Sequence, residues 1–353
     1  MTSSPFDHPW LGGLVGDDEI GSFFTIESET NAIRGFEEAL AAAEGALGFI
    51  PAASADHIQH HLREFRPDND AVRAATARDG VVVPELVRQM RAHLGVHGQY
   101  LHHGATSQDV IDTALILRLK PIAVVLQGRM MKLMASLTAL DVRFGGNELM
   151  GRTRMQDALP IRAGNRITTW HDPIARHLSR LEEMLPRLMV LQFGGPVGTL
   201  DKFGDKGMAV AERVADHLGL GLPEHSWHGQ RDNLVEFAGW LSLISGSLGK
   251  MGADVALMAQ NAVGEISIEG GGSSSAMPHK SNPVGAEILV TLAHLNATLV
   301  GGMHQAMVHE QERSGAAWTL EWLLLPQMIM ATGAGLRTAL TLCSQITRIG
   351  TPA

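Results

Sequence analysis

The sequence predicts an all-α protein built around a bundle of long helices, and three observations carry that prediction. Between residues 230 and 263, Leu234, Phe237, Leu241, Ile244, Leu248, Met251, Val255 and Met258 recur at alternating steps of three and four. That is a heptad seam of the kind that closes helix upon helix. A second pattern runs from Thr106 to about Val142, through Ile111, Leu115, Leu119, Ile122, Leu126, Met130, Leu133, Leu137 and Leu140, again at steps of three or four. Aromatic residues are only 5% of the chain, while Ala, Leu, Met and Gly abound, which suits helix packing better than sheets. No segment carries a strand signal.

The elements follow in order. Residues 1–25 hold Pro5, Pro9, Gly12, Gly13 and Gly16 and read as an irregular lead-in. Glu27 to Phe49 is rich in good helix formers and stops before Pro51. Shorter helices are expected at 52–65, 69–79 and 83–94. His57, His60, His61, His93 and His97 sit there, and a spacing of four puts two imidazoles on one helix face. No carboxylate or cysteine completes a metal set, so these read as helix-surface histidines. Pro121 falls inside the helix that starts at 106, where it removes one backbone bond or kinks the helix. A second long helix is expected over about 158–192, carrying Ile167, Ile174, Leu178, Leu181, Leu185 and Leu188 but also Pro173 and Pro186. GGPVGTL at 194–200 is a tight turn, a short helix follows near 206–219, and the seam helix comes next. Helices are expected again at 284–311 and 316–347. The organisation predicted is an N-terminal helical domain over 1–104, a central long-helix bundle over 105–348 and a tail at 349–353.

Composition narrows the function. The chain of 353 residues is 45% hydrophobic and 18% charged, an ordinary soluble balance, with a formal net charge of -9. No basic concentration points to nucleic acid or an anionic membrane. Cys343 is the single cysteine, so no disulfide can form within one chain. The N-terminus lacks a charged-then-apolar leader, and no run of about 18 apolar residues occurs. A reducing, cytoplasmic location is expected.

One stretch breaks the helical pattern: GGGSSSAMPHKSNPV at 270–284. Small, polar and helix-breaking residues with one lysine form a loop suited to handling anions. Elsewhere, HHGATSQDVIDTA at 102–114 puts two histidines before a glycine turn and two hydroxyls at a helix start. Thr106 and Ser107 there either bind an anion or cap the helix. GRTRMQDALP at 151–160 supplies Arg152, Arg154 and Gln156 as donors, with Arg152 equally a candidate for a structural ion pair. In QERSGAAW at 311–318, Arg313 precedes a small-residue turn, and a guanidinium suits bidentate carboxylate binding.

These stretches resemble the fumarase/aspartase superfamily. The loop matches its signature GSSxMPxKxNP. The segment at 102–114 is similar to HxGxTSxDxxDT of the branches that hold adenylosuccinate lyases and carboxymuconate cycloisomerases. GGPVGT at 194–199 is similar to GGAxGT, and 151–160 to GRTHxQxAxP. Likeness extends over nearly the whole chain. It implies a long-helix bundle, a homotetramer with each site built from three chains, and no metal or cofactor. Such proteins usually carry a further small helical C-terminal domain, expected to be largely absent in a sequence that stops at Ala353.

The resemblance also assigns residues. Ser274, six before Lys280, matches the serine that transfers the proton, and Lys280 and His102 match the catalytic group. Thr106, Ser107, Gln156, Asn282 and Arg313 match substrate ligands. The chemistry implied is proton transfer beside a carboxylate, through a dianionic aci-carboxylate that needs several fixed donors. Serine is a poor acid or base alone, so neighbouring donors must lower its pKa. The glycines before it are expected to let the loop close over substrate. His103 reads as a local turn histidine.

One position departs from the pattern. Arg154 stands where GRTHxQ has the histidine that assists a poor nitrogen leaving group. A reaction whose leaving group is already a stable carboxylate needs no such acid. MPHK resembles the adenylosuccinate lyase and cycloisomerase branches more than fumarase, and TSQD and ERSxxAW are similar to the carboxymuconate cycloisomerases, in which a substrate carboxylate adds to a double bond to form a lactone. Arg154 is then expected to bind a third substrate carboxylate. The directions of the helices also predict an oligomer. In an up-and-down bundle the helix starts at 106 and near 158 lie at opposite ends, so one chain cannot unite HHGATSQD with GRTR and the signature loop.

Overall fold

The structure, a computed structural model, describes residues 4–273, 277 and 281–352. The lead-in is more ordered than its prolines and glycines implied: it contains the one-turn helices α1 (Gly12–Val15) and α2 (Asp18–Gly21). Asp17 explains why. Its carboxylate caps α2 through the Ile20 N–H and pairs with Arg129, which fastens the lead-in to the bundle. Next come α3 (Ile26–Leu47), α4 (Ala52–His61), α5 (Asn69–Asp79) and α6 (Val83–His93). Thr25 caps α3 by accepting from the Ser28 N–H.

The bundle consists of α7 (Ser107–Phe144), α8 (Ala163–Leu188), α10 (Asp232–Met258), α11 (Val284–Ala306) and α12 (Ala316–Gln345), with the shorter α9 (Gly207–Leu218) lying on α3. α7 packs on α8 and α12, and α10 packs on α8, α11 and α12. Every apolar position of the α10 seam is buried. Each such side chain contributes roughly 1.5–3 kcal/mol on leaving water. The helices run through Pro121, Pro173, Pro186 and Pro326. Each proline forgoes one backbone bond, a cost that the buried faces offset.

A polar contact sets the register of three of these helices. The Asn296 amide of α11 donates to Ser245 Oγ of α10 at 2.7 Å and to Thr332 Oγ1 of α12 at 2.9 Å. Sliding any one of them would strand a buried amide.

Strands correct two expectations. β1 (Glu148–Thr153) and β2 (Gln156–Arg162) form an antiparallel hairpin, so α8 begins at Ala163 and not near 158. β3 (Ile266–Ile268) pairs with β4 (Ile346–Ile349), which ends the last helix at Gln345. These strands are set by tertiary contacts, and so lack their own sequence pattern. Glu148 and Thr351 exchange backbone hydrogen bonds, and the Gly350 N–H donates to the Glu265 carbonyl. Together they cover one end of the bundle.

Candidate functional site

The sequence-predicted residues fall into two groups, one at each end of the bundle. At the first end, α7 starts with a capping box. The Thr106 side chain accepts from the Asp109 N–H, and the Asp109 carboxylate accepts from the Thr106 N–H. The capping reading of Thr106 is therefore realised, yet the hydroxyl has a second partner. Arg313 Nη1 donates to Thr106 Oγ1 at 2.8 Å, and Nη2 donates to the Pro196 carbonyl. Three stretches picked out in the sequence thus meet: 102–114, 194–199 and 311–318.

His102 lies at the same end in the left-handed region, with φ 59°. A non-glycine residue costs roughly 1–2 kcal/mol there. It is held by Glu37, whose Oε1 is 2.7 Å from His102 Nδ1 and whose side chain is fully buried. Burial works against the imidazolium, but the Glu37 charge and hydrogen bond outweigh it, so the His102 pKa is raised. The protonated form is thereby favoured close to the α7 N-terminus. Gly104 and Gly195 are required by close approach. At Gly104 a Cβ would come within 2.4 Å of the Phe203 ring, and at Gly195 within 2.8 Å of the Gly104 carbonyl oxygen. Both also have positive φ, at 71° and 70°.

His103 pairs with Glu44, Nδ1 to Oε1 at 2.8 Å, and is more than a turn histidine. The contact is not an ion pair. Burial, with the Glu37 charge nearby, pushes the Glu44 carboxyl up to about 9, and burial lowers His103. The protonated carboxyl donates to a neutral ring. That leaves Glu44 Oε2, which has no partner, as a carbonyl oxygen and not as an orphaned hydroxyl.

Beneath these residues is a buried charged network that sequence reasoning missed. Asp109 accepts from the N–H groups of Gly194 (2.8 Å) and Gly195 (2.9 Å) and from His228 Nε2 (2.8 Å). Arg231 lies between Asp112 and Glu321: Nη1 donates to Asp112 Oδ2 at 2.5 Å and Nε to Glu321 Oε1 at 2.8 Å. The Trp318 indole also donates to Asp112, at 3.0 Å. Every charged member of this network is buried. Asp109 and Asp112 stand at the two aspartates of HxGxTSxDxxDT, which marked their positions but not their partners; His228 and Arg231 lie in a segment with no motif.

The second end holds the hairpin. Thr153 pairs with Gln156, so the turn is Arg154–Met155, with φ 50° and 65°. Two left-handed residues are the mark of a type I′ turn, normally Asn-Gly. Arg154 is exposed at this tip with no hydrogen-bond or ion-pair partner among the described residues. Gln156 is exposed as well, its amide directed to the Met155 carbonyl at 3.3 Å. Arg152 takes the structural role, donating to Glu265 at 2.6 Å and pairing with Asp157 at 2.9 Å.

Asn282 lies at this end too. It exchanges two backbone hydrogen bonds of 2.9 Å with Gly272, closing the neck of the 270–284 loop. A Cβ on Gly271 would meet Ser281 Oγ at 2.1 Å, and one on Gly272 would meet Val284 at 2.6 Å. At least two of the three glycines therefore serve strand approach at the neck. Ser274 and Lys280 lie outside the described residues.

The bundle keeps the two groups apart. His102, Thr106, Ser107 and Arg313 gather where α7 begins; Arg154, Gln156 and Asn282 gather where it ends. At 1.5 Å per residue, a helix from 107 to 144 spans roughly 57 Å. No single copy of the chain brings the groups together.

With this geometry in view, three comparisons bear on the chain. The profile of a family described as Lyase matches residues 17–296. A 3-carboxy-cis,cis-muconate cycloisomerase of Pseudomonas aeruginosa is 39% identical over 326 residues, which cover 90% of this chain and 71% of that protein. The crystal structure of the 3-carboxy-cis,cis-muconate lactonizing enzyme from Pseudomonas putida superimposes with a TM-score of 0.92 at 36% identity, covering 96% of this chain and 77% of that one.

Proposed function

The chain belongs to the lyase family of the fumarase/aspartase superfamily, and from that premise we propose that it is a 3-carboxy-cis,cis-muconate cycloisomerase. It converts 3-carboxy-cis,cis-muconate to 4-carboxymuconolactone in the breakdown of protocatechuate. The likeness to cycloisomerases over most of the chain supports this reading. The observation that carries it beyond the family is Arg154, a guanidinium with no partner among the described residues, at the hairpin tip where an amine-eliminating lyase would place a histidine acid.

One substrate carboxylate oxygen adds to a double bond, closing the lactone ring. The displaced electron pair moves to the neighbouring carbon and is delocalised onto the carboxylate beside it. Ser274 then delivers a proton to that carbon. Lys280, Asn282 and the imidazolium of His102 stabilise the dianionic intermediate. Thr106, Ser107 and Arg313 hold one carboxylate, Arg154 holds a third, and Gln156 contacts the bound substrate.

The enzyme is a cytoplasmic homotetramer whose sites combine residues of different copies. The distance between the two groups along α7 supports this. So does α11: it is long and apolar enough to cross a membrane, yet only 28% of its most apolar stretch is buried within the chain. Asn296 and the packing between α10 and α12 favour other copies of the protein over lipid as its cover. Residues 1–104 serve as an N-terminal helical domain beside the 105–348 bundle, with 349–353 as a tail.

One spectrophotometric assay tests the function. Cyclisation removes the conjugated ultraviolet absorbance of 3-carboxy-cis,cis-muconate. Constant absorbance with that substrate, together with a change on adenylosuccinate, would overturn the reading in favour of an amine-eliminating lyase.

A further inference from the structure

Between the N-terminal helices and the bundle is a cavity of about 360 Å³, whose lining includes none of the predicted site residues. Its walls are mainly carbon: Ile111 and Leu115 of α7, Trp322 and Leu325 of α12, with Phe24 and Val82 opposite. Arg118 of α7 enters this apolar space. Its Nε donates to the Ala114 carbonyl at 3.3 Å, one turn back on its own helix. Among the described residues neither terminal nitrogen has a hydrogen-bond or ion-pair partner.

Two carboxylates border the cavity, and neither neutralises the guanidinium. Glu321 is engaged on both oxygens by Arg231, at 2.8 and 2.6 Å. Glu29 makes no ion pair among the described residues. Burial lowers the Arg118 pKa, and the charge of Glu29, which does not bond it, only partly opposes this. A desolvated cation without a partner destabilises a fold, so packing gives no reason to keep one here. An anionic group from outside would complete it, because a guanidinium binds a carboxylate through two parallel N–H bonds. The volume and carbon lining suit a ring-sized body, and Trp322 offers an aromatic face.

We propose that this cavity binds a small monocarboxylate with an apolar, ring-sized body, its carboxylate on Arg118 and its ring against Trp322. The site discriminates by charge. Glu29, which makes no ion pair among the described residues, repels a second anionic group, so a tricarboxylate is rejected here and directed to the end of the bundle that holds Arg313.

Benzoate is the probe, titrated into the full-length protein by calorimetry. Saturable binding at one site per chain is expected. It should be unaffected by Arg313→Gln, which alters the substrate end, and at least tenfold weaker in Arg118→Gln. Benzamide, the neutral analogue, should also bind at least tenfold more weakly. Removing an unpaired cation should leave the ligand-free melting temperature of Arg118→Gln unchanged or raised, which guards against misfolding as the cause. The proposal is overturned if no saturable binding occurs at millimolar benzoate, if Arg118→Gln binds as tightly as the parent, or if Arg313→Gln alone abolishes binding. Because the readout is binding and not turnover, the result is independent of the cycloisomerase reading.

Discussion

Arg313 reaches across 207 positions of sequence to donate to the Thr106 hydroxyl at 2.8 Å. A helix N-terminus with a capping hydroxyl already favours anions, and the guanidinium adds a formal charge where the dipole ends. Replacing Arg313 with glutamine keeps some hydrogen bonding but removes that charge. We expect kcat/KM on carboxymuconate to fall by about two orders of magnitude, with most of the loss in KM, as for a ligand of a bound carboxylate. Steady-state kinetics decides it; a variant with the parent KM would place Arg313 outside the substrate contacts.

Arg154 makes a complementary case, because it is exposed at the hairpin tip and bonds none of the described residues. Arg154→His restores the residue of amine-eliminating relatives and shortens the reach of the cation. KM should rise at least tenfold while the melting temperature stays constant. An unchanged KM would sink the assignment of a third carboxylate to this residue.

Arg231 tests the buried network and not the chemistry. It holds Asp112 and Glu321 apart, all three fully buried. Arg231→Leu leaves two uncompensated carboxylates in the core and should cost about 3–5 kcal/mol in chemical denaturation. Loss of less than about 1 kcal/mol would mean that the network relaxes readily around the gap.

Residues such as Arg231 and His228 mark the limit of what the sequence discloses. Helices were legible because burial repeats every three or four residues: the α10 seam appears in the sequence as it does in the core. Loop chemistry was legible through dense local motifs, such as HHGATSQD, where Thr106 could be read as a helix cap. Hairpin β1–β2 was not, because its turn uses Arg154–Met155 where Asn-Gly would have announced it, and its pairing depends on distant Glu265. Arg231 was invisible for a related reason. Its partners at 112 and 321 are contributed by different helices, and no local spacing encodes that encounter.

The acidic pair beneath the histidines predicts how stability varies with pH. The Glu44 carboxyl, raised to about 9, keeps its proton in the fold and loses it in the unfolded chain near 4.5. Its contribution is therefore full below that lower value and declines as pH rises toward 9. His102 acts in the same direction. Its pKa is raised by Glu37 above the ordinary 6.5, so its stabilisation is present below that value and lost as pH climbs through the raised one. The protein should thus melt at progressively lower temperature from weakly acid to alkaline conditions. Glu44→Gln keeps a donor for His103 but removes one titration. Its melting temperature should exceed the parent's at about pH 8 and converge with it near pH 5. Parallel curves for the two proteins would refute the protonated state of Glu44.

Separation of the two groups by the length of α7 leads to the most direct test of assembly. Arg313→Gln impairs the end of the bundle where α7 begins and Ser274→Ala removes the proposed proton donor, so at substrate concentrations well below KM each variant alone should be nearly inactive. If a site draws its two ends from different copies, mixed oligomers contain sites in which both ends are intact. Random mixing in equal amounts makes about a quarter of the sites whole, since each end is intact with even odds. After the two variants are unfolded together and refolded, activity should rise to about a quarter of the parent's. Refolding each variant separately before mixing controls for residual turnover. If co-refolded protein is no more active than that control, each site is built from a single chain, and α7 must then bend or the chain rearrange to bring Arg313 and Arg154 together.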